Sequence, residues 1–398
     1  MVVNQIESTL TNDQWDQRLV RFSDQVFLFI CFESIISNLV SKLSAMGHHL
    51  WLSLSFSFFS ALFLLPYFTV HPYYWSFWLF LASYAFLDVG HSRTYRAKPL
   101  LHGIDSVLIT GGSKGIGEEY AKLFARDGFN VILIARSKEE LERVKQELLN
   151  INNSIRVHVF VKDLTNEGAV DQIYNELTTR DFQQNYRITH LINNAATGYT
   201  GEFLDTPFEN HLETLRLNTQ IMTQFCHLFG RYFREQRQRY PRDDFYILNM
   251  SSTASFVPAP NFAVYHATKS YIQSLSIALH EELKPYGIHV TSVCPGLTRT
   301  PLISKSGVSE TFLPIVTPIS QPDQAAKIGY RALFAQRRYA IVGYLNYLMS
   351  FAFMYMPYFI ASRASQFMYS EREHVRAFQA FAKQGFLEQR QSASSSVS

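Results

Sequence analysis

Cysteine is scarce in this chain, and so are the residue patterns of a metal site. The three cysteines (Cys31, Cys226 and Cys294) are an odd number without paired or ligand-type spacing, which argues against a disulfide framework and for a reducing compartment. The histidines also lack ligand spacing, so we expect no metal. The formal net charge is only +3 and the basic residues are scattered, so nucleic acid is not an expected partner.

Charge is absent from one long stretch, since no Asp, Glu, Lys or Arg occurs from Leu50 to Leu87. A membrane-spanning helix needs about 20 apolar residues, and proline disrupts the helical hydrogen-bond ladder. Pro66 and Pro72 interrupt the stretch. We therefore predict a membrane helical hairpin over residues 46–92. A single span and a buried helical pair in a soluble protein are the alternatives.

The segment before this hairpin, residues 1–45, lacks the basic start and cleavage site of a secretory signal peptide. Lys42 precedes the charge-free stretch and Arg93 follows it. Because basic residues stay on the cytoplasmic side, we expect both ends of the hairpin, and the rest of the chain, to face the cytosol. The membrane would be the endoplasmic reticulum in a eukaryote and the inner membrane in a bacterium.

From Asp105 onward, short apolar runs alternate with amphipathic helical segments. Such alternation predicts an α/β fold of the Rossmann type, a doubly wound parallel sheet with helices on both faces. The predicted strands are Ser106–Thr110, Asn130–Ala135, Arg156–Val161, His190–Asn193, Phe245–Asn249, His289–Val293 and Tyr339–Val342.

A glycine-rich turn joins the first strand to a helix that we predict over Gly115–Asp127. Glycine lets the backbone approach a pyrophosphate, and the helix N-terminus offers free N–H groups and a positive dipole end. The spacing is not that of a P-loop, so we predict a dinucleotide. The predicted phosphate-binding residues are Thr110, Gly111, Ser113, Lys114, Gly115, Ile116 and Gly117.

The end of the second strand indicates which dinucleotide binds. Enzymes that select NAD usually carry an acidic side chain there, to bind the ribose hydroxyl. This chain has Arg136 instead, and Lys114 lies in the turn itself. Two cations suit a 2′-phosphate, so we predict NADPH/NADP, although Arg136 facing solvent is the alternative. Asp163 follows the third strand and is placed to accept from the adenine amino group or to cap the next helix.

Tyr265 and Lys269 lie four residues apart in a predicted helix, Phe262–Lys284, and therefore on one helix face. A nearby ammonium lowers a tyrosine pKa, so Tyr265 is a candidate general acid or base for a carbonyl or alcohol. Ser252 ends a strand and can hold the substrate oxygen. Asn218, in a predicted helix over Leu212–Phe229, can anchor a water. We expect the neighbouring His266 to point away from the face of Tyr265.

These motifs together resemble the short-chain dehydrogenase/reductase family over residues 104–343. The resemblance implies a catalytic tetrad of Asn218, Ser252, Tyr265 and Lys269, with Lys269 also binding the nicotinamide ribose. It further implies cofactor contacts from Asn194, Ala195, Pro295, Gly296 and either Thr298 or Thr300. One departure is visible, because the family's Asn-Asn-Ala-Gly ends in Ala196 here.

The chain ends in an apolar helical extension, predicted over residues 344–386, and a disordered tail, 387–398. Tyr344–Ser362 carries no charge but is interrupted by Pro357. We favour a lid or an interfacial helix over a third membrane span for this segment.

The sequence thus predicts a membrane-anchored, NADPH-dependent reductase of an apolar or lipid-like ketone. It is similar to enzymes that reduce 3-oxoacyl-CoA esters, keto-steroids or 3-ketosphinganine. An oxidative hydroxysteroid or retinol-type dehydrogenase, and a non-catalytic NADP(H)-binding membrane sensor, are the alternatives. Expected partners are a small lipid-like substrate and the membrane, and a homodimer through the helices of Asn218 and Tyr265 remains open.

Overall fold

The structure is a computed structural model, and it describes residues 103–370. All of these belong to the second of the two units, Met1–His91 and Ser92–Ser398, into which the chain divides. The predicted N-terminal segment, the predicted hairpin over 46–92 and the predicted tail over 387–398 lie outside the described residues.

The described part is built on a parallel sheet of seven strands in the order β3-β2-β1-β4-β5-β6-β7. This confirms the predicted α/β fold. The strands are β1 (Asp105–Thr110), β2 (Asn130–Ala135), β3 (Val157–Val161), β4 (Arg187–Asn193), β5 (Phe245–Met250), β6 (Ile288–Pro295) and β7 (Tyr339–Val342).

Two hydrophobic cores flank the sheet, as expected for strands covered on both faces. Alternate residues of β1 point into different cores: Val107 and Ile109 into one, Leu108 into the other. The first core lies under α1 (Gly115–Arg126), α2 (Lys138–Ile151) and α10 (Pro322–Phe334). The second lies under α3 (Ala169–Leu177), α6 (Met222–Arg239) and α7 (Ala263–Leu283).

Local sequence signals account for the beginnings of the helices. Ser137 caps α2 by accepting a hydrogen bond from the Glu140 backbone N–H, and acidic residues occupy the first turn. Pro322 opens α10 at a position where no backbone N–H is needed.

The shorter helices are α4 (Arg180–Gln183), α5 (Phe208–Leu215), α8 (Pro301–Lys305) and α9 (Leu313–Val316).

One predicted helix is interrupted. Instead of running through Leu212–Phe229, the chain forms α5, a π-helical segment at Arg216–Ile221, and then α6. The wider π-turn lies around Asn218, which is buried. Such turns are rare and occur mainly at functional sites.

The C-terminal apolar run forms two short helices, α11 (Tyr344–Tyr355, 12 residues) and α12 (Tyr358–Met368, 11 residues), separated at Pro357. Within residues 103–370, no helix combines the length and the apolar character needed to cross a bilayer.

The sheet topology determines where a ligand can bind. The strand order reverses between β1 and β4, because β2 and β3 are added on one side of β1 and β4 to β7 on the other. β1 and β4 pair in parallel up to Thr110 and Asn193. In open α/β sheets, ligands bind at the carboxyl ends of the strands at this switch point. The glycine-rich turn and the loop after Asn193 both lie there.

Candidate active site

The turn after β1 adopts backbone conformations that require glycine. Gly111 and Gly115 have φ angles of +64° and +62°, in the left-handed region. A Cβ on Gly117 would lie only 2.4 Å from the carbonyl oxygen of Gly111, so no side chain fits where α1 packs onto the turn. The result is an uncovered helix N-terminus above the sheet, which suits a pyrophosphate.

Thr110 and Asn194 hold this turn from behind. The Thr110 hydroxyl accepts hydrogen bonds from the backbone N–H groups of Asn194 (3.0 Å) and Ala195 (3.1 Å). The Asn194 side-chain amide donates to the carbonyl oxygens of Thr110 (3.1 Å) and Gly111 (3.0 Å). Thr110 therefore shapes the turn from a buried position.

A cavity of about 470 Å³ runs over the carboxyl ends of the strands. It collects nearly all of the residues that the sequence predicts for the site, except the buried Thr110, Gly117 and Asn218. The predicted residues that line it are Gly111, Ser113, Lys114, Gly115, Ile116, Arg136, Asp163, Asn194, Ala195, Ser252, Tyr265, Lys269, Pro295, Gly296, Thr298 and Thr300.

The loop after β6 lies close against its neighbours. Thr300 packs against the glycine-rich turn at Gly115. A Cβ added to Gly115 would lie only 3.0 Å from the Thr300 Cγ2. Thr298 is buried and donates its hydroxyl to the Gly296 carbonyl oxygen (3.0 Å). Gly296 lies under Asn346 of α11, where an added Cβ would be 2.4 Å from the Asn346 Nδ2.

Both cations at the nucleotide end have carboxylate partners. Lys114 Nζ lies 3.3 Å from Glu140 Oε1, and Arg136 Nη1 lies 3.6 Å from Asp163 Oδ2. The Arg136 side chain is 58% exposed, so this is a surface pair. Such pairs contribute about 0–1 kcal/mol, and a bound phosphate can displace them.

Asp163 is already engaged by its own loop. Its Oδ1 accepts hydrogen bonds from the Thr165 backbone N–H (2.9 Å) and hydroxyl (2.7 Å). These bonds, together with Arg136, outweigh burial and hold the pKa of Asp163 below its usual value. The carboxylate is thus ionised and fixed at the rim of the cavity.

Tyr265 and Lys269 both face the cavity from α7. Lys269 is buried, and its Nζ donates to the Met250 carbonyl oxygen (2.8 Å) and lies 5.5 Å from the centroid of the Tyr265 ring. The Ser251 hydroxyl donates to the Lys269 carbonyl oxygen (2.9 Å) and so fixes the backbone of α7 that carries both side chains.

The expected lowering of the Tyr265 pKa is wrong for the protein without ligands. Burial raises the pKa of Tyr265 to about 12, although a hydrogen bond with Ser252 partly offsets this. Burial also lowers the pKa of Lys269 to about 8. The phenol is therefore protonated at neutral pH, and the ammonium is the group closer to titration.

Ser252 and Asn218 differ in what they contact. The Ser252 hydroxyl donates to the Pro295 carbonyl oxygen (3.3 Å) and accepts from the Ala254 backbone N–H (3.2 Å). Ser252 is not a strand residue but caps the 3₁₀ turn Thr253–Phe256 after β5. From there it lines the cavity.

The Asn218 side chain binds protein atoms. Its Nδ2 donates to the Thr197 carbonyl oxygen (2.8 Å) and the Thr268 hydroxyl (3.0 Å), and its Oδ1 accepts from the Thr197 backbone N–H (3.0 Å). Both amide hydrogens are thus used, so the side chain connects the loop after β4 to α7 and has no hydrogen left for a water.

Sequence reasoning missed the group that positions the Tyr265 ring. The ring stacks on Phe262, with centroids 4.3 Å apart and planes 8° from parallel. Gly198 lies at the edge of both rings, where a Cβ would be 2.5 Å from the Tyr265 Cδ2 and 3.1 Å from the Phe262 ring. An aromatic residue three positions before the tyrosine was a visible signal, whereas Gly198 had none.

Sequence reasoning also missed Tyr369 and its contact with His266. Tyr369 lines the cavity, and its hydroxyl lies 3.0 Å from Nε2 of the buried His266. His266 therefore connects α7 to the C-terminal extension and is part of the surroundings of Tyr265. An apolar cluster beside the site includes Ala259, Phe262, Tyr265, Leu297, Ile303, Val308, Leu313, Met368 and Tyr369.

The residues present fit a nicotinamide dinucleotide. The three glycines allow a tight turn in which any Cβ would meet neighbouring protein atoms, the helix N-terminus supplies donors, and the cavity continues from this turn to Tyr265 and Lys269. No group of acidic, histidine or cysteine side chains between residues 103 and 370 has the arrangement of a metal site.

Residues 105–310 match the family model for short chain dehydrogenases. The match covers just over half of the chain. This chain belongs to the short-chain dehydrogenase family.

Among curated relatives, the chain is similar to a very-long-chain 3-oxoacyl-CoA reductase from Coccidioides immitis. The two are 31% identical over 207 residues, which is 52% of this chain and 56% of the relative. It is also similar to an uncharacterized oxidoreductase from Mycobacterium tuberculosis, at 33% identity over 229 residues, or 56% and 62% of the two chains. The chain thus spans less than two thirds of the length of these relatives.

Solved structures agree with the fold. A short-chain dehydrogenase from Sphingobium yanoikuyae, in complex with NADPH, is 28% identical with a TM-score of 0.53, covering 60% of this chain and 87% of that one. A 7beta-hydroxysteroid dehydrogenase has a TM-score of 0.56 over 66% of this chain and 96% of its own, but at 21% identity it supports the fold alone.

Proposed function

We propose that the protein is an NADPH-dependent carbonyl reductase acting on a lipid-like ketone, with a 3-oxoacyl-CoA ester as the leading substrate. The single observation that carries this is one cavity lined both by the glycine turn and by Ser252, Tyr265 and Lys269. A binding protein without turnover would have no need for an acid, a relay lysine and a hydroxyl beside the nucleotide site.

Each side chain has a defined part in the proposed reduction. When bound, NADPH supplies a hydride to the carbonyl carbon. The Ser252 hydroxyl holds the carbonyl oxygen, and the Tyr265 phenol donates its proton to that oxygen as negative charge develops. The Lys269 ammonium stabilises the resulting phenolate and passes a proton back to it. Asn218 keeps the loop at Thr197 against α7 throughout.

The protonation state supports the reductive direction. A pKa of about 12 keeps Tyr265 protonated at neutral pH, which is the form a general acid requires. An alcohol dehydrogenase would need the phenolate, which is a minor species under these conditions.

The preference for NADPH rests on Lys114 and Arg136 at the nucleotide end of the cavity. Their carboxylate partners are surface-exposed, so each cation can turn to a 2′-phosphate at small cost. The Sphingobium relative, whose structure contains NADPH, is consistent with this choice.

The substrate class rests on the apolar cluster around Phe262, Val308 and Tyr369, which suits an acyl chain better than a polar ketone. Relatives named very-long-chain 3-oxoacyl-CoA reductases point the same way.

We also propose the domain organisation derived from the sequence: a membrane hairpin at 46–92, the dehydrogenase domain at 104–343 facing the cytosol, and an apolar extension at 344–386. The charge-free stretch from Leu50 to Leu87 supports the anchor. Retention in carbonate-washed membranes should be lost when residues 46–92 are deleted, and retention despite the deletion would contradict the anchor.

The reaction is tested by NADPH consumption with 3-oxoacyl-CoA esters, keto-steroids and 3-ketosphinganine, with products identified by mass. Tyr265→Phe should lower kcat by about 10²–10⁴-fold while NADPH binding persists, because only the proton donor is removed. Tyr271→Phe is the matched control, since Tyr271 is on the same helix but exposed and bonded to Thr223. Equal turnover by the wild type and Tyr265→Phe would refute the mechanism.

A further inference from the structure

Tyr369, just beyond the end of α12, is packed into the wall of the cavity. It is 8% exposed and belongs to the buried cluster with Ala259, Phe262 and Val308. Its ring centroid lies 5.4 Å from that of Phe262, which in turn stacks on Tyr265. One aromatic ring therefore separates Tyr369 from the proton donor.

A buried histidine holds the Tyr369 hydroxyl in place. His266 Nδ1 lies 2.7 Å from the Val257 carbonyl oxygen, which can only accept, so Nδ1 carries the proton. His266 Nε2 is then the acceptor for the Tyr369 hydroxyl at 3.0 Å. Burial lowers the pKa of His266 to about 4, so the imidazole stays neutral and remains an acceptor at physiological pH.

The backbone around Tyr369 is also fixed to the core of the domain. The Phe312 N–H donates to the Ser370 carbonyl oxygen (3.1 Å), and the Asn261 side-chain amide donates to that of Tyr369 (3.5 Å). On α12, the Ser365 hydroxyl donates to the Pro258 carbonyl oxygen (2.6 Å). The extension is thus tied to the loop before α7 at several points.

We infer that Tyr369 is a specificity-determining residue, whose ring closes the apolar part of the cavity and limits the apolar group that a ketone can carry beside Tyr265. The packing of this ring against Phe262 and its apolar neighbours keeps it in the wall, and His266 accepts the hydrogen of its hydroxyl. The inference rests on the proposed reductase function for its substrate class. It goes beyond that function in assigning substrate selection to the C-terminal extension.

The first test compares kcat/KM for short-chain and long-chain 3-oxoacyl-CoA esters in the full-length protein. Tyr369→Ala removes the ring and opens the wall, so the long-to-short ratio should rise by about tenfold or more, as for other changes of apolar pocket volume. An unchanged ratio would overturn the inference.

Two further variants separate the wall from general damage. Tyr369→Phe keeps the ring and loses only the bond to His266, so its ratio should stay within about threefold of the wild type. If Tyr369→Phe behaves like Tyr369→Ala, the ring is not the selecting element and the inference fails. Tyr330→Phe, which removes a hydroxyl bonded to Asp127 outside the cavity lining, should leave the ratio unchanged.

A second readout does not depend on turnover. Saturated acyl-CoA esters have no ketone to reduce, so their binding can be measured without turnover. The ratio of the calorimetric Kd values for short and long chains reports how well the pocket accommodates each chain length. If no ketone is reduced but Tyr369→Ala shifts this Kd ratio, the proposed function fails while the specificity role stands. If ketones are reduced and neither ratio shifts, the specificity role fails while the proposed function stands.

Discussion

The phenol ring of Tyr265 stacks on Phe262 with the centroids 4.3 Å apart, and the backbone of Gly198 lies against the edge of both rings. The proton donor is therefore held on one face and at one edge before any substrate arrives. Because a ring fixed in this way has one orientation, its hydroxyl can be aimed at a substrate oxygen without further ordering.

Gly198→Ala should lower kcat by about 100-fold. The added Cβ would be 2.5 Å from the Tyr265 Cδ2 and 3.1 Å from the Phe262 ring, so the phenol must shift, and a displacement of about 1 Å at a reacting group costs about 10²-fold. Steady-state kinetics with NADPH and a reducible ketone measures the effect.

Gly230→Ala is the matched control for that variant. Gly230 lies within α6, where a Cβ would meet only Leu283 Cδ1 at an ordinary 3.8 Å. This change should leave kcat intact and stabilise the helix by about 0.5–1 kcal/mol. A Gly198→Ala enzyme as active as Gly230→Ala would show that Tyr265 is not confined as described.

The reduction rate should fall as pH rises through about 8. Burial lowers the pKa of Lys269 from 10.5 to about 8, so the ammonium that returns a proton to Tyr265 is lost in this range. Tyr265, with a pKa of about 12, stays protonated. The pH dependence of kcat/KM measures this, because it reports the groups of the free enzyme.

Stability should change in the opposite sense over the same range. The unfolded chain keeps the Lys269 proton until about pH 10.5, so between about 8 and 10.5 it binds more protons than the folded chain. The contribution of Lys269 to stability therefore rises with pH.

Lys269→Arg is the control for the pH dependence of the reduction rate. The variant keeps its positive charge, and its residual rate should show no decline near pH 8. A decline identical to that of the wild type would assign the titration to another group.

Arg136→Glu should shift the cofactor preference toward NADH. A hydrogen bond to a charged group contributes about 1.5–3 kcal/mol, so losing it from a 2′-phosphate should reduce the ratio of kcat/KM for NADPH over NADH by about 10–100-fold. Arg180→Glu makes the same charge change at an exposed residue outside the cavity lining and should leave the ratio unchanged. Equal ratios for both variants would exclude Arg136 as the phosphate contact.

Arg187→Met should destabilise the domain by about 3–5 kcal/mol without affecting kcat. Arg187 is buried and bridges Asp105 (2.6 Å), the first residue of β1, and Asp243 (2.5 Å), just before β5, away from the cavity. Its loss removes the guanidinium from two buried carboxylates. Urea unfolding followed by circular dichroism measures the change. Arg338→Met breaks an exposed pair with Glu281 and should cost at most about 1 kcal/mol.

Much of the fold was predictable because it depends on local patterns. The bounds of β2 and β7 match the prediction to the residue, and the glycine turn lies between a strand and a helix as expected. Strands β4 and β6 are longer than predicted. Arg187 is charged and Pro295 is a helix-breaking residue, so neither has the character of a strand residue. They belong to the sheet because Arg187 pairs with β1 and Pro295 pairs with β7.

The site was predictable as a set of residues but not in its internal contacts. The sequence indicates the charge of Lys269 near Tyr265, but not the burial that dominates both pKa values. The contact between His266 and Tyr369 joins residues 103 positions apart, and no local pattern encodes it. The π-turn at Asn218 likewise depends on the tertiary bonds to Thr197.

Asn346 of α11 lies so close to Gly296 that a side chain at position 296 has no room beside it, and the same amide donates to the Val342 carbonyl oxygen (2.8 Å). The loop after β6, which contains Gly296, and α11 of the C-terminal extension are therefore packed to fit each other. Transferring a relative's extension onto this enzyme would retain turnover only if the residue facing Gly296 left the same clearance. Exchanging substrate preference between such enzymes thus requires transferring the loop after β6 together with the C-terminal extension.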